Sequence, residues 1–187
     1  MSKVNLKINN VPVEVEEGAT ILEAAKAAGI KIPTLCYLKD INRIGACRVC
    51  VVEVKGARSL VASCVFPVSE GMEVFTNTKK VLKSRKTTVE LLLSNHKKDC
   101  LSCVRNNNCE LQTLSLELGC DVTKYQGISN NYKQDTSTPY LVRDNNKCIL
   151  CRRCEAACRE YQSVAVIGAN ARGFDTHMGC AFEMDLK

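Results

Sequence analysis

The sequence of 187 residues contains no tryptophan, few aromatic residues (5%) and only two histidines, His96 and His177. Its apolar residues form no run near the roughly 18 residues that a membrane-spanning helix needs, so we expect no membrane span. Residues 1–10 lack the apolar stretch of a secretory signal, so we expect none. A chain without these features is expected in the cytoplasm, where thiols stay reduced.

Long basic runs are also missing, although the formal net charge is +6. The scarcity of aromatic side chains and of basic tracts argues against a nucleic-acid partner. The formal charge also counts every cysteine as neutral, whereas cysteines bound to a metal are thiolates. Three iron–sulfur clusters of the kinds considered below would reduce the net charge to about +1.

Cysteine is the residue type in excess, with 13 copies. Such a number fits a disulfide framework, zinc sites or iron–sulfur clusters. Because a reducing compartment disfavours disulfides, metal binding is the leading explanation.

The first third of the chain predicts a β-grasp fold. Alternating apolar residues over 3–16 predict a hairpin, and Thr20 with Glu23 predicts a capping box at the start of a helix. Cys50–Val54 and Leu60–Cys64 read as two more strands.

The remainder predicts short helices and connections, which makes the whole chain α+β. Helical spacing over 78–95 leads to His96, and Glu110–Leu118 forms a second helix. The polar stretch 121–139 reads as a surface connection, and Val164–Ile167 with Phe174–His177 suggests a closing hairpin.

The first group of candidate ligands has the spacing C-x10-C-x2-C-x13-C. A single C-x2-C pair is also half of a common zinc site, but a zinc ribbon needs a second pair. Because the outer two cysteines stand singly, we favour a [2Fe–2S] cluster. The residues are Cys36, Cys47, Cys50 and Cys64.

The second group has the spacing H-x3-C-x2-C-x5-C. Zinc accepts three cysteines and one histidine, so spacing alone leaves zinc and iron–sulfur equally open. A neutral imidazole in place of a thiolate would make a cluster easier to reduce. The residues are His96, Cys100, Cys103 and Cys109.

The third group has the bacterial ferredoxin spacing C-x2-C-x2-C-x3-C, formed by Cys148, Cys151, Cys154 and Cys158. It predicts a [4Fe–4S] cluster. In two-cluster ferredoxins the fourth cysteine of such a run serves the other cluster, and this sequence has no second run. We therefore favour Cys180 as the fourth ligand and keep Cys158 as the alternative.

These three groups resemble the amino-terminal electron-input region of [FeFe]-hydrogenases and the large iron–sulfur subunit of NADH dehydrogenase (complex I). The stretches that carry the resemblance are Pro33–Cys36, Gly45–Cys50, His96–Glu110, Arg143–Cys154 and Ile167–Phe174. The resemblance implies a [2Fe–2S] cluster at the first group, a His-ligated [4Fe–4S] cluster at the second and a [4Fe–4S] cluster at the third.

The resemblance further implies three modules: a β-grasp [2Fe–2S] ferredoxin domain over 1–77, a His/Cys3 [4Fe–4S] helical module over 78–139, and a truncated, single-cluster ferredoxin-like module over 140–187. A second ferredoxin run and a hydrogenase catalytic domain are absent from the sequence. The chain therefore looks like a stand-alone, non-catalytic electron-transfer subunit of an electron-bifurcating complex.

Its implied partners are an NAD(P)-binding FMN iron–sulfur subunit, a thioredoxin-like [2Fe–2S] subunit, and an [FeFe]-hydrogenase or formate dehydrogenase catalytic subunit. Two alternatives are an amino-terminal fragment of a longer hydrogenase or NADH dehydrogenase subunit, and a zinc-binding structural module.

Overall fold

A computed structural model describes residues 2–185. The chain begins with an antiparallel hairpin of β1 (Lys3–Ile8) and β2 (Val11–Glu16), which confirms the alternating pattern. The two turn residues, Asn9 (φ 51°) and Asn10 (φ 67°), both adopt left-handed backbone conformations. Asparagine tolerates that conformation, and a two-residue turn with both φ values positive matches the twist of the flanking strands.

Helix α1 (Ile21–Ala27) follows, with the capping box that the sequence predicts. The Glu23 amide donates to Thr20 Oγ1 at 3.3 Å, and the Thr20 amide donates to Glu23 Oε2 at 2.8 Å. Both bonds satisfy amides that the first turn of a helix leaves without partners. Ile21 and Ala25 on its inner face are fully buried, so the helix is held against the sheet.

Three further strands complete a five-stranded sheet in the order β2-β1-β5-β3-β4. Strands β3 (Val51–Val54) and β4 (Val61–Ala62) lie within the two predicted strands. Strand β5 (Glu73–Phe75) was not predicted, because three residues are too few to display an alternating pattern. It lies parallel to β1 and antiparallel to β3, and so joins the two halves of the sheet.

The second part of the chain packs helices α2 (Lys79–Ser94) and α3 (Glu110–Glu117) against the loops of the sheet domain. Both helices lie where the sequence predicts them. Their buried residues form a second hydrophobic core with ligand candidates from all three groups. The core contains Leu35, Cys36, Cys47, Val49, Val89, Leu93, Leu111 and Leu114, with Cys109 and Cys151 packed against it.

The carboxy-terminal part contains a short helix α4 (Arg153–Ala156), a π-helical turn (Ala157–Tyr161), and the two-stranded sheet of β6 (Gly168–Asn170) and β7 (His177–Gly179). The connection over 121–139 contains no helix or strand, as predicted. No helix in the described part of the chain combines the length and apolarity that crossing a bilayer requires.

The predicted closing hairpin exists, but the first predicted strand was wrong and the second, Phe174–His177, overlaps β7 only at His177. Residues Val164–Ile167 form no strand, because Ser163 and Ala165 adopt positive φ values (57° and 56°) and Val164 is exposed. Phe174 lies in a 3-10 turn, Gly173–Asp175, rather than in a strand. The β-branched residues that suggested the first strand have no sheet to pack against, and β propensity acts mainly through such packing.

Candidate metal centres

The first group of cysteines converges in one buried site. All four side chains are buried, and Cys64 is fully enclosed. The Sγ atoms of Cys50 and Cys64 lie 3.3 Å apart, and the thiols of Cys47 and Cys64 lie near enough to Cys36 to lower its pKa. Since four thiols from a loop and two strand ends share contacts, their placement fits a cluster held by four cysteines.

Hydrogen bonds among these thiols separate their pKa values. Interactions with the thiols of Cys47 and Cys64 hold the pKa of Cys36 well below its ordinary value, and the contact with Cys64 lowers the pKa of Cys50 to about 6. The same interactions raise the pKa values of Cys47 and Cys64. Thiolates are the form that binds iron, and these interactions favour the thiolate at Cys36 and Cys50 but the thiol at Cys47 and Cys64.

Backbone amides also point at this site. The amides of Ala46 and Cys47 help to lower the pKa of the Cys36 thiol, where small residues allow the chain to approach closely. Gly45 has a φ of 62°, and a Cβ there would contact the Val65 side chain at 3.4 Å. Hydrogen bonds to ligand sulfurs are among the contacts that tune the potential of an iron–sulfur cluster.

The second group lines a common cavity. Helix α2 ends just before His96, which borders this cavity. The other ligand candidates of the group border it too, and the remaining lining residues are Lys97, Asp99, Arg105, Asn106 and Gln112; the ligand candidates are His96, Cys100, Cys103 and Cys109. Burial, with the nearby Lys147, lowers the pKa of His96 and so favours the neutral imidazole that can bind a metal. His96 Nδ1 faces the carbonyl of Asn146 at 3.5 Å.

Three cysteines of the third group also come together. Leu150 (φ 54°) and Arg152 (φ 56°) both adopt left-handed conformations, which curl the backbone around Cys148, Cys151 and Cys154. Burial raises the pKa of Cys148, and negative charge on Cys154 and Cys151 adds to the shift, so the three sulfurs interact electrostatically. The Leu150 amide donates to Cys148 Sγ at 3.4 Å.

The two candidates for a fourth ligand differ in setting. Cys158 lies in the π-helical turn, and its carbonyl accepts hydrogen bonds from Val164 and Ala165. Cys180 is buried directly after β7, and its carbonyl accepts a hydrogen bond from Asn170 at 2.7 Å. Within residues 2–185, neither candidate thiol forms a hydrogen bond to the sulfur of Cys148, Cys151 or Cys154. The choice between Cys158 and Cys180 therefore stays a prediction.

The segments that carry the three groups are joined by hydrogen bonds that the sequence did not reveal. Asn42 Nδ2 donates to the carbonyls of Cys36 (2.8 Å) and Cys151 (3.0 Å). The Lys97 amide donates to the Asn146 carbonyl at 2.8 Å, and Lys147 forms an ion pair with Asp99 at 3.0 Å. The third segment is therefore bonded to each of the other two.

None of the 13 cysteines, all of which lie within the described residues, forms a disulfide. Among the described residues, no three or more His, Cys, Asp or Glu side chains are placed to hold a single metal ion. An iron–sulfur cluster, in contrast, is held by ligands on different irons, which lie further apart. The remaining cysteine, Cys120, is half-buried beside α2, and burial raises its pKa.

Two family models match the chain. Residues 1–79 match the 2Fe-2S iron-sulfur cluster binding domain, and residues 85–124 match the NADH-ubiquinone oxidoreductase-G iron-sulfur binding region. These matches cover the first two groups of candidate ligands and agree with the [2Fe–2S] and [4Fe–4S] chemistry expected there.

Similar proteins are found among oxidoreductase subunits. The chain is 46% identical over 192 residues to the NADP-reducing hydrogenase subunit HndD of Solidesulfovibrio fructosivorans, covering 100% of this chain and 33% of the relative. It is 37% identical over 175 residues to the NADH-ubiquinone oxidoreductase 75 kDa subunit of Reclinomonas americana, covering 94% of this chain and 25% of the relative. The chain therefore spans a third or less of the length of these relatives.

A solved structure is also similar. The crystal structure of NAD+-reducing [NiFe]-hydrogenase in the H2-reduced state matches with a TM-score of 0.90 and 29% identity, covering 96% of this chain and 76% of that one. Together, these matches confirm the resemblance that the sequence motifs carry.

Proposed function

We propose that this chain, a relative of the iron–sulfur regions of hydrogenase subunits and of the complex I large subunit, is a non-catalytic electron relay. The observation that carries the proposal is that the four cysteines of the first group are buried together and that the second group lines one cavity, both in regions that match iron–sulfur family models. Clusters bound there would each take up and release single electrons.

At the first site we assign a [2Fe–2S] cluster to Cys36, Cys47, Cys50 and Cys64. The match of residues 1–79 to a 2Fe-2S domain supports this assignment, as do the shared thiol contacts. The protein contributes burial and amide hydrogen bonds, which tune the potential and exclude water.

At the second site we assign a [4Fe–4S] cluster to His96, Cys100, Cys103 and Cys109. Ligating histidines commonly donate their other ring nitrogen to a carbonyl. The contact of His96 Nδ1 with the Asn146 carbonyl therefore supports ligation through Nε2. The lowered pKa of His96 agrees with a neutral ligand.

At the third site we assign a [4Fe–4S] cluster to Cys148, Cys151, Cys154 and Cys180. The Asn145 side chain supports the last ligand, because its amide donates to the Met178 carbonyl at 3.0 Å and its oxygen accepts from the Met178 amide at 3.2 Å. These bonds tie the strand that ends next to Cys180 to the segment that begins the third group. Cys158 is the alternative ligand.

We further propose that residues 1–77, 78–139 and 140–187 form the three cluster-bearing modules. The partners would be an NAD(P)-binding FMN iron–sulfur subunit, a thioredoxin-like [2Fe–2S] subunit, and an [FeFe]-hydrogenase or formate dehydrogenase subunit of an electron-bifurcating complex in the cytoplasm. The relatives include a subunit of an NADP-reducing hydrogenase and a subunit of an NADH-ubiquinone oxidoreductase, and these names support such partners. The chain covers only 33% and 25% of the length of those two relatives. This supports a second candidate function, in which the chain is the relay region of a longer enzyme.

Iron analysis tests the proposal against a zinc module. We expect anaerobically purified protein to contain about ten irons and about ten sulfides per chain, because one two-iron and two four-iron clusters are assigned. Electron paramagnetic resonance of the reduced protein should resolve three centres. Colourless protein that contains zinc would contradict the proposal.

A substitution at His96 tests the ligand assignment. We expect His96→Cys to keep about ten irons but to lower the midpoint potential of one centre, because a fourth thiolate makes the cluster more negative. The matched control is the other histidine: His177→Asn should leave the potential of the second centre unchanged, since His177 lies against Glu183, away from the cavity of the second group. Unchanged potentials in His96→Cys would remove His96 from the ligand set.

A further inference from the structure

We propose that Asn42 is a positioning residue that fixes the ligand loop of the first group against that of the third, and thereby tunes both centres at once. The inference rests on the proposed function, since it assumes that both loops hold clusters. It concerns a residue that belongs to none of the three ligand groups.

The Asn42 side chain uses one amide nitrogen for two bonds that leave in different directions. Nδ2 donates to the carbonyl of Cys36 at 2.8 Å and to that of Cys151 at 3.0 Å. Each carbonyl belongs to a ligand candidate of a different group, and the two cysteines are far apart in sequence. A primary amide has two protons on one nitrogen, so it can join two acceptors that a hydroxyl could not.

The environment of Asn42 makes these bonds important. The residue is 2% exposed, so water cannot replace a lost partner. A buried carbonyl without a donor is destabilised, and hydrogen bonds in a low-dielectric interior are stronger than those in water. Removing the amide would therefore take the donor from two ligand-residue carbonyls: that of Cys36, whose hydrogen bond is buried, and that of Cys151, whose hydrogen bond is half-buried.

The backbone of the first loop holds Asn42 in place. The Leu38 amide donates to the Asn42 carbonyl at 3.0 Å, and the Asn42 amide donates to the Leu38 carbonyl at 2.8 Å. The positive φ of Asp40 (61°) lets the chain reverse between them. This closed turn directs the Asn42 side chain back toward Cys36 and across to the third loop.

A second contact crosses the same junction but is more exposed. Arg153 Nη2 donates to the Tyr37 carbonyl at 3.1 Å, and its Nη1 donates to Glu110 at 2.6 Å. The Arg153 side chain is 28% exposed, so water can compensate for part of its loss. Asn42 is the buried connection and bonds directly to the ligand candidates Cys36 and Cys151. Arg153 bonds instead to Tyr37 and Glu110, each of which follows a ligand candidate in the sequence.

The test compares Asn42→Leu with Ser63→Ala in the full chain loaded with iron and sulfide. Leucine has the same branched arrangement of heavy atoms as asparagine but donates no hydrogen bond. Ser63 is a matched control, because its buried hydroxyl donates to the Cys50 carbonyl at 2.8 Å and so reaches the first group alone. The measurements are iron content, the paramagnetic resonance spectrum and midpoint potential of each centre, and hydrogen–deuterium exchange of backbone amides.

We expect Asn42→Leu to shift the spectra and potentials of both the first and the third centre, and to speed amide exchange in both 36–42 and 148–154. Ser63→Ala should shift the first centre alone. A change confined to the first centre in Asn42→Leu, or no change at all, would overturn the proposal and leave Asn42 a structural residue of one loop.

The experiment still tests the role of Asn42 under two further outcomes. If Asn42→Leu does not accumulate as folded protein, Asn42→Gln replaces it, since glutamine keeps the amide but displaces it by one methylene; the same two-centre change is required. If the unsubstituted chain binds no iron, the proposed function fails, yet amide exchange still tests the bridge between the loops: faster exchange in both segments supports it, and faster exchange in 36–42 alone overturns it.

Discussion

Cys180→Ser is expected to reduce the iron content by about four atoms per chain, because a four-iron cluster held by three cysteines is readily lost. Cys180 is buried, and Asn145 ties the strand before it to the segment that leads into Cys148. The paramagnetic resonance spectrum of the reduced protein should lose one signal and keep the other two. Iron and sulfide analysis of the purified variant measures the effect directly.

Two other cysteines provide matched controls. Cys158→Ser removes the competing ligand, and Cys120→Ser removes the half-buried thiol beside α2 that is assigned to no cluster. Both variants should retain about ten irons per chain. If Cys158→Ser loses four irons and Cys180→Ser loses none, the assignment of the fourth ligand is reversed. If both retain their iron, the third centre takes a ligand from outside these two residues.

The features predicted from the sequence are those encoded within a few residues of each other. The hairpin of β1 and β2 follows from strict alternation, and the start of α1 follows from Thr20 and Glu23, three residues apart. The internal spacing of Cys148, Cys151 and Cys154 likewise places three thiols together without knowledge of the rest of the fold. Local geometry decides each of these features, so the sequence is enough to predict them.

The features that were missed depend on contacts between distant segments. Strand β5 is three residues long and exists because β1 and β3 lie on either side of it. Asn42 resembles any other loop asparagine until Cys151 is placed beside it. The closing hairpin was misplaced for a related reason, since Val164 has high β propensity but no sheet to pack against.

Another long-range contact governs stability. Arg85 of α2 is 5% exposed and carries its charge into the core, where Nε donates to the Val49 carbonyl at 3.1 Å and Nη2 to the Val51 carbonyl at 2.8 Å. Burial lowers the pKa of its guanidinium, and negative charge on Cys50 opposes that shift. Cys50 lies between the two acceptors, so Arg85 holds the helix against a ligand of the first centre.

Arg85→Met should therefore lower the free energy of unfolding by about 3 kcal/mol, because two buried carbonyls lose their donor while the methionine side chain fills most of the space. Urea unfolding followed by circular dichroism measures the loss. Lys83→Met on the exposed side of the same helix is the control and should change stability little. Because the acceptors flank Cys50, Arg85→Met should also release iron from the first centre at lower urea than Lys83→Met does. Equal urea midpoints for the two variants would show that the helix is held to the sheet by apolar packing alone.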